Sequence, residues 1–157
     1  MAFDSAKEHL ERFGLSDRVR EFSQSSATVE LAAQALGCEP ARIAKSLTFM
    51  AGGEPVMVVT AGDMKVDNAK YKAQFGTKAK MLTPAEVDEL IGHSVGGVCP
   101  FGIKDGVRVF LDESLRRFDK VFPACGSGNT AVELTIDELE KCSGYEKWID
   151  VCKSISA

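Results

Sequence analysis

Hydrophobic positions along the chain follow two periods, and each switch between them marks a new element. Ala6, Leu10 and Phe13 recur at helical spacing behind Ser5-Ala-Lys-Glu8, a capping-box pattern, and Gly14 stops the run. Val19 to Ser23 has the residue types of a short strand. Thr28 reads as the N-cap of a helix whose apolar stripe is Val29, Ala32, Ala33 and Leu36, with Gly37 at its end. The period then drops to two. Ile43-Ala-Lys-Ser-Leu-Thr-Phe-Met50, the turn Gly52-Gly53 and Pro55-Val-Met-Val-Val-Thr60 predict a hairpin.

Asp67 to Phe75 returns to helical spacing and closes on Gly76. Thr83-Pro84-Ala-Glu86 is a second capping signature, for a helix ending at Gly92. Val95-Gly-Gly-Val-Cys-Pro-Phe-Gly102 is too rich in Gly and Pro for regular structure and predicts a loop. Strands follow at Val107 to Leu111 and Lys120 to Ala124, with a short polar helix between them. A second small-residue loop, Cys125-Gly-Ser-Gly-Asn129, leads into a strand over Ala131-Val-Glu-Leu134 and a helix capped by Thr135-Ile-Asp-Glu138. No repeat or linker interrupts the pattern, so one domain over 1–157 is expected, of α/β or α+β class with a mixed, largely antiparallel sheet.

Composition agrees with an ordinary globular protein, 45% hydrophobic and 27% charged. Charges at Asp4, Lys7 and Glu8 break the apolar stretch that a signal peptide needs, and the longest apolar run, Val56 to Ala61, is too short to span a bilayer. A cytoplasmic protein without a membrane partner is expected. The five cysteines are an odd number with no C-x-x-C pair, and only His9 and His93 could assist them. Reduced thiols are therefore expected, with no metal and no cofactor. The net charge of −4 disfavours nonspecific grip on nucleic acid. Lys65, Lys70, Lys72, Lys78 and Lys80 nevertheless face a single acid, Asp67, across that stretch. Such a run reads either as a solvated face or as a patch that steers a phosphate backbone.

Lys45 is the most informative single residue. By the two-residue period it shares a strand face with Ile43 and Leu47, so a cation points the same way as two apolar groups. That face is either solvent or a site. The two glycine-rich loops offer backbone N–H groups that can approach a ligand closely. Cys99 and Cys125 lie in these loops, but a thiol nucleophile wants a base and a lowered pKa, and no base is evident beside either. Neither G-x-S-x-G, a P-loop nor H-E-x-x-H occurs.

In order, the chain carries Thr28…Ala32-Ala33…Leu36-Gly37, Ile43-Ala-Lys45-Ser46-Leu47, Val95-Gly-Gly-Val-Cys-Pro100-Phe-Gly102, and Gly126-Ser127 before Ala131-Val-Glu-Leu134. This series resembles the YbaK/prolyl-tRNA-synthetase-associated family of aminoacyl-tRNA deacylases, across residues 19 to 142. The resemblance implies a mixed sheet curled toward a barrel, with helices around it. It implies that Lys45 is the functional lysine and that Gly97-Val-Cys-Pro100 is a G-x-x-P loop. Ser46, Gly96, Gly97, Cys99, Pro100, Gly126 and Ser127 would then bind substrate, with no metal or cofactor. Two departures stand out: Cys99 replaces a common Ser, and Ala131 replaces the Asp of cysteine-clearing members.

The implied reaction is hydrolysis of a mischarged tRNA ester bearing Ala, Cys or Ser, on tRNA-Pro, with prolyl-tRNA synthetase as a further partner. Backbone N–H groups of the 97–100 and 126–128 loops would hold the aminoacyl group, and Lys45 would hold the terminal nucleotide or the carbonyl. Gly97 is expected to floor the pocket and to need a positive φ. The alternatives are a non-catalytic tRNA- or synthetase-binding module of the same fold, and a small-molecule hydrolase using Cys99 or Cys125.

Overall fold

The structure is a computed structural model that describes residues 2–156. Helix α1 spans Ala2–Glu11, α2 Val29–Leu36, α3 Asn68–Phe75 and α5 Ile136–Ser143. Between α3 and α5, α4 is a single turn, Pro84–Glu86, running on into a π-helical turn over Val87–Ile91. Local chemistry explains most of the starts. Thr28 Oγ1 accepts from Leu31 N–H and the Asp67 carboxylate accepts from Lys70 N–H. Thr83 and Thr135 form complete capping boxes with Glu86 and Glu138. Ser5 does not cap α1: the helix begins earlier, at Ala2, and Ser5 lies inside it. Phe13 lies beyond its end and is 46% exposed.

The strands are β1 Val19–Glu21, β2 Ile43–Ala51, β3 Glu54–Ala61, β4 Met64–Val66 and β5 Arg108–Asp112. They continue with β6 Lys120–Pro123, β7 Thr130–Val132, β8 Leu134–Thr135, β9 Tyr145–Ile149 and β10 Cys152–Ser154. Six of them form one curled mixed sheet in the order β8-β6-β2-β3-β5-β9. The β2–β3 hairpin and the β6–β8 pair are antiparallel, whereas β2–β6, β3–β5 and β5–β9 are parallel. The strand expected over 131–134 is divided. Thr130–Val132 pairs with β1 and Leu134 with β6, so the chain passes from one sheet to another at Glu133.

Alternation along the central strands separates the core into layers. Met57, Val59, Val109 and Leu111 point into the larger cluster, shared with α1, α5 and the glycine loops. Val56, Val58 and Phe110 point to the opposite face, against Tyr71 and Phe75 of α3 and Ile149 of β9. Both faces of β3 are covered, which is why Val56 to Val59 runs apolar without a polar alternate. Helix α2 packs Ala32 and Ala33 on Ile43, beside Phe122.

Candidate functional site

Strand β2 pairs with β3 along one edge from Ala44 to Ala51. Its other edge is used twice. β6 pairs there with Ile43 and Ala44, and the segment 80–82 pairs further along, through Met50 N–H to Lys80 O at 2.9 Å and Leu82 N–H to Thr48 O at 3.1 Å. A cleft of about 260 Å³ opens between these two pairings. Its walls come from Ser26 to Val29 at the start of α2, residues 43–48 of β2, Met81, Leu82 and Val87, Val95, Gly96 and Val98, and Phe122, Ala124, Thr130 and Ala131. Most of these side chains are apolar. Met81 and Val95 stand exposed at the rim.

Lys45 lies in this cleft, half-buried. It shares its strand face with Ile43 and Leu47, and both of those pack against apolar clusters. Its ammonium donates to the backbone carbonyl of Met64 in β4. Burial lowers its pKa, while the nearby Cys152, Asp63 and Glu30 pull it back up. Asp63 is itself held below the usual carboxylate range, first by its hydrogen bonds from Arg117, at 2.6 and 3.0 Å. The lysine is thus a cation on an apolar wall with one main-chain acceptor and acids at a distance.

Of the residues expected to bind substrate, Ser46 and Gly96 join Lys45 in lining the cleft. Gly97, Cys99, Pro100, Gly126 and Ser127 are not among its lining residues; they build the support behind it. Gly126 N–H donates to Gly97 O at 2.9 Å, so the two loops are bonded back to back. A Cβ on Gly97 would lie 2.4 Å from Ser127 N, and one on Gly126 would lie 2.5 Å from Ala2 O. Gly97 is therefore required by close main-chain approach to the second loop, not as the floor of a pocket, and its φ is not positive. Gly126 does take a positive φ, 86°. Ser127 Oγ is within hydrogen-bond distance of Asn129 Oδ1 and Thr130 Oγ1 in its own loop, both at 2.9 Å, and its one proton goes to either.

The thiols are turned away from the cleft. Cys99 and Cys125 are both 0% exposed. Burial pushes the Cys99 thiol far up, and that of Cys125 up to about 12. His93 Nε2 approaches Cys99 Sγ at 3.5 Å but also meets Phe101 O at 2.7 Å. Burial lowers the His93 pKa as well. This pair is sealed from solvent and cannot present a thiolate to a substrate. Neither Cys99 nor Cys125 lines the cleft, and both are buried away from it. Among the described residues no group of three or more His, Cys, Asp or Glu side chains is arranged to hold a metal ion. No helix of the described chain is long and apolar enough to cross a membrane.

The five lysines expected to meet tRNA are all exposed, on and around β4 and α3 and along the segment to residue 80. Among the described residues only Lys70 of the five is in an ion pair, with Asp150 at 3.1 Å. The β4–β10 ladder adds a neighbour that sequence reading missed: Lys153 stands directly opposite Lys65. Thr48 and Thr130 at the cleft were also missed, because only the pairing of distant segments brings them there.

The family described as the aminoacyl-tRNA editing domain matches residues 23–142. The uncharacterized protein YwhH of Bacillus subtilis is 51% identical over 154 residues, covering 98% of both chains. A proline–tRNA ligase of Lactiplantibacillus plantarum is 25% identical over 138 residues, 87% of this chain but 24% of the ligase. The crystal structure of a candidate trans-editing enzyme for prolyl-tRNA synthetase superposes with a TM-score of 0.87 at 30% identity, covering 98% of each chain.

Proposed function

The chain belongs to the aminoacyl-tRNA editing domain family, and from that premise we propose that it is a trans-editing deacylase hydrolysing the ester of a mischarged tRNA that carries a small amino acid. The observation that carries this reading is Lys45, a half-buried cation lining a mostly apolar cleft. An aminoacyl ester is already activated, so positioning and charge stabilisation suffice for hydrolysis. Water adds to the ester carbonyl, the tetrahedral oxyanion collapses, and the ribose oxygen leaves with the proton that the water gave up. Lys45 offsets the negative charge that develops or holds the terminal nucleotide. Gly96 and Ser46 contact the aminoacyl group directly. Gly97, Pro100, Gly126 and Ser127 act by fixing the shape of the loops behind it.

The substrate is a tRNA-Pro bearing Ala, Cys or Ser, cleared in the cytoplasm in support of prolyl-tRNA synthetase. The wall at Ala131 favours an apolar side chain, which places Ala ahead of Cys. Small side chains differing by one heavy atom are separated by only about 1–3 kcal/mol, so some leakage among them follows. Lys65, Lys70, Lys72, Lys78 and Lys80 meet the acceptor-stem backbone. The test is a panel of tRNAs charged with Ala, Cys, Ser, Pro and Phe. Release of Ala, slower release of Cys and Ser, sparing of Pro and Phe, and loss of all turnover in a folded Lys45→Ala variant are expected. Tight binding without release from any member would leave a binding module instead, and full turnover by Lys45→Ala would remove the lysine from the reaction.

A further inference from the structure

The edge of β2 that faces the cleft has a one-residue opening. Met50 N–H and Thr48 C=O point out of that edge, to Lys80 O and Leu82 N. Strand groups repeat every two residues, so the N–H and C=O of Ser46 point out of the same edge. β6 stops pairing at Ala44 and the 80–82 segment begins at Thr48, and among the described residues nothing pairs with Ser46 on that side. Ser46 lines the cleft, and its Oγ is buried without a hydrogen-bond partner. A main-chain donor and acceptor with no protein partner at the edge of a cleft are free to bond a ligand that enters it. A ligand that supplies both partners completes the ladder at this opening.

We propose that the Ser46 main chain reads the backbone-like part of the substrate, its α-amino group and ester carbonyl. An α-aminoacyl group carries a nitrogen donor and a carbonyl acceptor on either side of one carbon, the spacing of a residue in a strand. In an antiparallel hydrogen-bonded pair, two facing residues exchange both bonds. Here the α-amino group donates to Ser46 C=O, and Ser46 N–H donates to the acyl carbonyl oxygen. The second bond tightens as that oxygen gains charge, on the same carbonyl that Lys45 approaches. Recognition of this kind is blind to the side chain, so discrimination among amino acids falls to the walls, Ala131 and Val98 among them. Acyl groups without the amine are excluded however small they are. This inference rests on the deacylase reading.

The experiment uses the full chain, labelled with 15N, and two non-hydrolysable probes: 3′-(L-alanylamino)-3′-deoxyadenosine and its propionyl counterpart, which lacks the amine. The alanyl probe is expected to shift the Ser46 amide proton downfield and slow its exchange. The propionyl probe is expected to bind about 10- to 100-fold more weakly, the worth of one charge-assisted hydrogen bond. Equal affinities, or shifts at Lys45 and Gly96 with the Ser46 amide unmoved, overturn the proposal, as does failure of the alanyl probe to bind. Turnover of Ala-tRNA in a parallel assay separates the two readings. If it persists while the probe result fails, only the role of Ser46 falls; if it is absent, the deacylase reading falls with it.

Discussion

A methyl group at Gly97 would meet Ser127 N at 2.4 Å and Gly126 C at 2.6 Å. Both atoms are main chain, fixed by the Gly126–Gly97 hydrogen bond, and neither can yield by turning a side chain. Gly97→Ala should therefore destabilise the fold by about 1–3 kcal/mol, as overpacking does. It should also lower kcat/KM, because Gly96 and Val98 on either side line the cleft. Unchanged melting would show that the loops are not tied together as described. Lys45 stands in a different relation to stability. Its folded pKa lies below the usual 10.5, so between the two values the unfolded chain binds more protons, and stability rises with pH there. The fold would be better served by a neutral group at this position than by the charge it holds.

At the scale of elements, α1 is clipped to the Gly102 loop and to α5 by one imidazole. His9 Nδ1 accepts from Gly102 N–H at 3.1 Å, and Nε2 meets Cys142 O at 2.6 Å, so the neutral Nε2–H tautomer satisfies both. A second proton would face Gly102 N–H with another donor. Burial lowers the His9 pKa, with Arg12 adding to the effect and the Cys142 carbonyl opposing it. Glu8 and Glu11 share its groove. The contribution is then present above the unfolded value of 6.5 and is lost as pH falls below it, toward the lower folded value. Thermal midpoints at pH 7 and pH 5 check this: the drop should be smaller in His9→Asn than in the wild type. An identical drop would clear His9, leaving the buried His93, shifted the same way, as the source.

Elements were legible where their signals are local. The caps at Thr28, Thr83 and Thr135 need only three neighbouring residues, and each is made, while Asp67, read as the first helical residue, is itself a cap. Ser5 shows the limit, since its pattern is right but the helix had already begun at Ala2. β4, β9 and β10 were not foreseen, because they are strands by virtue of partners far away, Leu111 for Trp148 and Val66 for Cys152. For the same reason the cleft was half visible. Lys45 announced itself as a cation among apolar neighbours, but which glycines face the cleft and which brace it depends on how the two loops meet.

Over the whole molecule, a net charge of −4 coexists with a local basic face. Lys65 and Lys153 lie directly opposite in the β4–β10 ladder, a like-charge pairing that does not help the fold. If this face meets a phosphate backbone, Lys65→Ala and Lys153→Ala should each weaken tRNA binding and reduce the slope of log affinity against log salt by about one, without lowering the melting point. A slope unchanged in both variants would move the tRNA to another surface.

The same folding that hides the thiols leaves one of them within reach. Cys99, Cys125, Cys142 and Cys152 are buried, whereas Cys38 is intermediate, just beyond the end of α2. A thiol-reactive dye will therefore attach to the native chain at a single position, slowly at neutral pH because burial raises the Cys38 pKa. The opposite end of that helix borders the cleft at Thr28 and Val29. The chain thus comes with its own attachment point for a fluorophore, on the helix whose movement would report occupancy, and no cysteine has to be removed to use it.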